Sequence, residues 1–124
     1  MSYIDHIEGI AANDAKVLRA KDREYGGSWL KRGGIGAFMM LCRKFDRLET
    51  AMERKMGDDA DTFVDRFDII ERALLDGREE GILDDIGDLR RYLLLVEAEV
   101  RERRGMKPEL PSINTHDRVP NFDS

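Results

Sequence analysis

Residues 81–104 read GILDDIGDLRRYLLLVEAEVRERR. Ile82, Ile86, Leu89, Leu93, Val96 and Val100 recur in an unbroken seven-residue repeat of apolar positions, which brings all six to one side of a helix. That pattern predicts a helix from about Gly81 to Arg104, and the chain upstream extends the reading. Strand signals are almost absent. A first helix is expected from about Ser2 to Glu24, with Ser2 as N-cap and Ile4, Ile7, Ala11, Ala15 and Leu18 as its apolar stripe. Tyr25-Gly26-Gly27 ends it, because glycine tolerates the left-handed conformation beyond a helix C-terminus. A second helix is expected from about Gly36 to Met56, with Phe38, Leu41, Phe45, Leu48 and Met52 in its seam, and Gly57-Asp58-Asp59 breaks it. A third, capped by Thr62, carries Phe63, Phe67, Ile70 and Leu74 and closes at Gly77. The expected fold is all-α: a four-helix bundle over residues 1–104 and an extended or disordered tail over 105–124. The tail holds Pro108, Pro111 and Pro120, all the prolines of the chain, and is free to pack on a neighbour.

The composition suits one domain of 124 residues, 41% apolar and 38% charged. A formal charge of −5 argues against non-specific nucleic-acid binding, which needs a cationic surface to displace counterions. An acidic protein still binds a polyphosphate if divalent metals reverse the sign of its site. Cys42 is the only cysteine, which excludes an intrachain disulfide and a cysteine-based structural zinc site. With no leader-like N-terminus and no long apolar run, the expected location is the cytoplasm, without membrane association.

Most acids of so charged a chain must be solvated, so the informative ones lie beside an apolar stripe. At ~100° per residue, Asp85 and Asp88 fall on one side of the fourth helix's stripe, roughly 60° and 120° from its centre, with Tyr92 one turn on. Asp84 points to solvent. On the second helix Asp46 and Glu49 have the same spacing, followed by Glu53. Two acid pairs on facing helices would supply the oxygen ligands that Mg²⁺ and Mn²⁺ prefer while leaving positions open for water and phosphate. Asp68 and Glu71 on the third helix have equivalent spacing and are the rival first pair; Asp65 faces away. His6 and His116 suggest no dyad.

Between the first two helices, residues 26–36 read GGSWLKRGGIG, combining five glycines, two cations and the only tryptophan. This segment has two readings. It is a flexible connection with Trp29 packed on the core, or a cationic loop that contacts phosphate through backbone N–H groups, Lys31 and Arg32. It lacks the Lys-Ser/Thr ending of a P-loop. Arg43, Lys44 and Arg47 are surface cations that could instead meet a phosphate.

The stretch Leu83-Asp84-Asp85-Ile86-Gly87-Asp88-Leu89 resembles the second acidic motif of the MazG-like all-α nucleoside-triphosphate pyrophosphohydrolases. Asp85 and Asp88 match that family's later acid pair, and Asp46-Arg47-Leu48-Glu49 its earlier one, each with Asp in place of the first Glu. Residues 22–29 (DREYGGSW), 36–41 (GAFMML) and 44–49 (KFDRLE) add a resemblance to the phage MazZ branch, which serves 2-aminoadenine DNA synthesis. Together these cover about residues 15–100. The gap between Glu49 and Asp85 is longer than usual for the family, which keeps Asp68 and Glu71 open as the first pair.

The resemblance implies hydrolysis of dGTP or GTP to the monophosphate and pyrophosphate with two or more Mg²⁺ or Mn²⁺ ions, in a homodimer or homotetramer. On that reading Asp46, Glu49, Asp85 and Asp88 are the metal-binding and catalytic residues. Lys31, Arg32 and Arg47 are candidates for phosphate contact, and Tyr25 and Trp29 for stacking on the base. The competing expectation is a non-catalytic helical oligomeric interaction or nucleotide-binding module, whose acids are only a solvated face. An interaction module without a site would gain no thermal stability from nucleotide and metal.

Overall fold

Ser2, in extended backbone, precedes the first helix and donates its N–H to the Asp5 carboxylate at 2.9 Å. In the computed structural model, which describes residues 2–54 and 66–109, helix α1 spans Tyr3–Tyr25. It stops where Gly26 adopts a φ of 60° and returns its N–H to the Asp22 carbonyl. A 3-10 turn, Ser28–Leu30, leads into α2, Gly33–Glu53. The remaining described helices are α3, Ile69–Leu75, and α4, Ile82–Arg103. Among the described residues the chain is all-helical, and no helix is long and apolar enough to cross a membrane.

The expected boundaries of α1 and α4 hold to within one residue. Helix α2 begins three residues before the expected Gly36, so Gly33, Gly34 and Gly36 form its first turn rather than a loop. A side chain at Gly36 would place its Cβ 2.6 Å from that of Arg32, so glycine is what lets the turn close there. The C-terminus of α4 is a Schellman motif. Gly105 takes a φ of 70°, its N–H bonds the Glu102 carbonyl, and the Met106 N–H bonds the Arg101 carbonyl. Residues 105–109 beyond it are non-helical and exposed.

The third helix departs most from expectation. Asp68 interrupts it, taking an extended conformation and accepting the Glu71 N–H at 3.1 Å as the N-cap of α3. This restart shifts the helical phase. Ile69 and Ala73 pack on the core with Phe67, whereas Ile70 and Leu74, expected inside, are exposed. The expected cap Thr62, the helix-breaking Gly57-Asp58-Asp59 and Phe63 lie outside the described residues, as do Asp65, His116 and the tail from residue 110.

The core is small. Leu48, Ala51 and Met52 of α2 meet Ile82 of α4, with Phe67, Ile69, Ala73, Ile86 and Leu89 packed around them. Helices α2 and α4 make the most extensive helix–helix contact, as their two apolar seams require. Phe38 and Phe45, read as members of the α2 seam, are exposed, because the buried residues of α2 are Ala37 and, from Leu48 onward, Leu48, Ala51 and Met52. The stripe of α1 is likewise uncovered: Ile4 and Ile7 are exposed, and the one buried residue of that helix is Asp14.

Polar groups complete the packing. Buried Arg72 donates through Nη2 to the carbonyls of Ala51 and Arg54, satisfying acceptors at the end of α2. Asp76 does the equivalent work at the start of α4, accepting the Ile82 N–H at 2.8 Å and holding the Arg78 guanidinium through both carboxylate oxygens. A Cβ at Gly81 would sit 2.5 Å from Asp76 Oδ2, so this clamp depends on the glycine between them.

Candidate active site

The acid pair of α4 lies where its helical phase predicts. Asp85 is buried, only 3% exposed, Asp88 is half-buried one turn later, and Asp84 faces solvent. Burial pushes the Asp85 carboxyl above the usual carboxylate range. Arg47 opposes that shift from α2, its Nε 3.0 Å from Asp85 Oδ1, but does not cancel it. Asp88 sits between two cations: Lys44 Nζ at 3.6 Å from Oδ2 and Arg91 Nη2 at 3.1 Å from Oδ1. Lys44 also lies over the Tyr92 ring, 5.6 Å from its centroid.

Asp46 and Glu49 are on α2, the helix that faces α4, and both are exposed. Among the described residues no three His, Cys, Asp or Glu side chains gather closely enough to hold a metal ion. The structure therefore brings Asp85 and Asp88 together and leaves the α2 pair apart from them. Of the rival pair, Asp68 has its carboxylate engaged as the α3 cap.

Four of the five candidate substrate residues do converge. A cavity of about 670 Å³ opens between the end of α1, the 3-10 turn, the first half of α2 and the middle of α4. Tyr25, Trp29, Lys31 and Arg32 line it together with Asp88. Its volume falls within the usual range for small-molecule sites. Leu30 and Lys31 donate backbone N–H groups to Gly27 and Ser28, and the resulting tight turn sets Trp29 half-buried in the cavity wall. Arg47 is not part of that wall; it pairs with Asp85 and, at 3.9 Å, with Glu80.

Lys21, Arg43, Lys44 and Arg91 also face the cavity, giving it six cations against the two carboxylates of Asp22 and Asp88. Among the described residues Lys21, Lys31, Arg32 and Arg43 form no ion pair. A concave wall of unpaired cations with Tyr25, Trp29 and Tyr92 beside it suits an anion that carries a planar ring.

Sequence reasoning passed over Lys21, Arg91 and Asp14. Asp14 is 1% exposed and bound by Arg90 and Arg91 of α4. Those bonds, chiefly that from Arg90, hold its carboxyl below the usual range against the opposing effect of burial. The available signal was positional: Ile7, Ala11, Asp14 and Leu18 follow a heptad, and an acid in an apolar stripe needs a partner.

No family model matches the chain, and comparison with curated proteins and with solved structures finds no significant match.

Proposed function

We propose that the chain is a Mg²⁺- or Mn²⁺-dependent nucleoside-triphosphate pyrophosphohydrolase of the MazG-like kind, converting dGTP or GTP to the monophosphate and pyrophosphate in the cytoplasm. The carrying observation is the cavity that joins three aromatic rings, four unpaired cations and Asp88 of α4, with Asp85 buried one turn before it. Preference for guanine, and supply of a phage 2-aminoadenine pathway, rest on the resemblance of residues 22–29, 36–41 and 44–49 to the MazZ branch.

Asp85 and Asp88 are oxygen donors of the kind a hard divalent cation prefers, and the α2 acids would have to close on them to complete a site. Asp85 is a buried carboxylate with one close cationic partner, and burial raises its pKa against the pull of Arg47. Asp85 and Asp88 would hold the ion, with Asp46 and Glu49 the candidates to complete its shell from α2. Such an ion lowers the pKa of water and offsets phosphate charge when bound. The protein's own groups account for the rest of the assignment. Lys31, Arg32, Lys21 and Arg43 attract and orient the triphosphate, while Tyr25 and Trp29 offer faces to the base. Arg47 serves the site by balancing Asp85 and is free to turn to phosphate once that charge is met.

The test is a panel of isosteric variants assayed for nucleotide turnover and for fold by circular dichroism. Asp85→Asn, Asp88→Asn and Glu49→Gln are each expected to abolish turnover with helicity intact, and Asp84→Asn to retain it. Loss of activity only in Asp84→Asn would contradict the assignment. A second reading, a nucleotide-binding module without turnover, draws support from Asp88 being held by Lys44 and Arg91. It predicts thermal stabilisation by dGTP with no product formed.

A further inference from the structure

We propose that Asp14 is a positioning residue: from α1 it fixes Arg91 across Gly87, and Arg91 in turn sets Asp88 at the cavity wall. The kinetic consequence rests on the pyrophosphohydrolase reading; the geometry does not. Arg91 spans two carboxylates with its two terminal nitrogens, Nη1 at 3.2 Å from Asp14 Oδ1 and Nη2 at 3.1 Å from Asp88 Oδ1. A planar guanidinium held at both tips has little freedom left, so the position of Asp14 is transmitted to Asp88. The remaining oxygen of Asp88 faces Lys44, which completes a chain from α1 through α4 to α2.

Gly87 belongs to the same device. A Cβ there would lie 3.0 Å from Arg91 Nη1 and 3.2 Å from Nη2, so the guanidinium rests directly against the helix backbone where a side chain would stand. Arg90 provides the internal control. It donates to both oxygens of Asp14 but neither touches Asp88 nor lines the cavity; it faces the groove between α1 and α4 instead. An Asp14 with a purely structural role would need Arg90 no less than Arg91. A positioning role makes Arg91 the partner that matters to the site.

The experiment compares Asp14→Asn, Arg91→Lys, Gly87→Ala and Arg90→Gln in the full chain, with two readouts. Mn²⁺ affinity is measured by electron paramagnetic resonance, and the order of the Arg91 side chain by its Nε–H NMR signal without metal. Partners one step behind a ligand typically change metal affinity about 10- to 100-fold when removed, and that loss is expected for Asp14→Asn and Arg91→Lys. The double variant is expected to lose no more than either single. Gly87→Ala, which displaces only the flexible end of Arg91, should weaken Mn²⁺ in the same direction, and it carries the test if Asp14→Asn fails to fold. Arg90→Gln should lower thermal stability and leave Mn²⁺ affinity and the Arg91 signal unchanged. Equal Mn²⁺ losses in Arg90→Gln and Asp14→Asn, or an unchanged Arg91 signal in Asp14→Asn, would overturn the proposal. A wild-type protein with no Mn²⁺ affinity would defeat the functional reading alone. The Arg91 signal would then decide the role of Asp14: broadened in Asp14→Asn it supports the proposal, unchanged it overturns it.

Discussion

Arg47 of α2 and Asp85 of α4 meet at 3.0 Å, the arginine half-exposed and the carboxylate buried, so the helix pair that forms the core is also joined by charge beside the candidate site. Removing the cation leaves a buried carboxylate without its close partner. Arg47→Gln is therefore expected to lower stability, by about 1–3 kcal/mol for a buried polar group left without its partner. Divalent metal should restore part of that loss by replacing the missing positive charge. Thermal unfolding with and without Mn²⁺ checks both effects; equal melting temperatures for variant and wild type without metal would count against the pairing.

Asp68 caps α3 through the Glu71 N–H. Asp68→Ala should cost about 1 kcal/mol, the usual loss for an N-cap, and leave turnover intact. Chemical denaturation and a nucleotide assay separate the two properties. If stability holds and turnover disappears, Asp68 belongs to the site and Asp46 does not.

Acid should reveal the Asp76 clamp. Hydrogen bonds from the Arg78 side chain, then from the Ile82 and Arg78 backbone, hold its carboxyl well below the usual carboxylate range. A depressed folded pKa gives stability that is complete above the unfolded value of roughly 4 and lost as pH falls through the lower folded one. Asp76→Asn is thus expected to be less stable than wild type at neutral pH, with the gap closing below about pH 4. Urea-unfolding midpoints across that range test it, and a gap independent of pH would contradict it.

Ile4, Ile7 and Ile10 on α1 and Leu94 on α4 are exposed, and Ile7, Ile10 and Leu94 line one groove, an apolar surface of the kind that marks interfaces. A dimer or tetramer is the expected state, and Ile7→Asp should shift it toward monomer. Light scattering at micromolar concentration measures this; a monomeric wild type would refute it.

How far the sequence discloses this structure depends on the range of the interaction. The ends of α1 and α4 follow from local chemistry, Ser2 and Gly26 at one helix and Gly105 at the other, and are legible at once. The phase of α4 correctly separates buried Asp85 from solvated Asp84. The break at Asp68 was missed because periodicity through Phe67 and Ile70 outweighed the capping signal of Asp68 with Glu71 three residues on. Asp14 and Arg91 are 77 residues apart, and no local pattern pairs them. The cavity has the same character. Tyr25, Trp29, Lys31 and Arg32 were legible as a cluster in sequence, with Lys21 one turn before Tyr25 overlooked, whereas Arg43 and Arg91 join them only through helix packing.

The central claim is the reaction, and product analysis tests it most directly. Each deoxyribonucleoside and ribonucleoside triphosphate is incubated with the full chain and Mg²⁺ or Mn²⁺, and the products are resolved by ion-exchange chromatography. The expected result is dGMP with equimolar pyrophosphate from dGTP, GMP from GTP, and no conversion when the metal is chelated. Appearance of dGDP and orthophosphate, or no conversion of any triphosphate with either metal, would contradict the account.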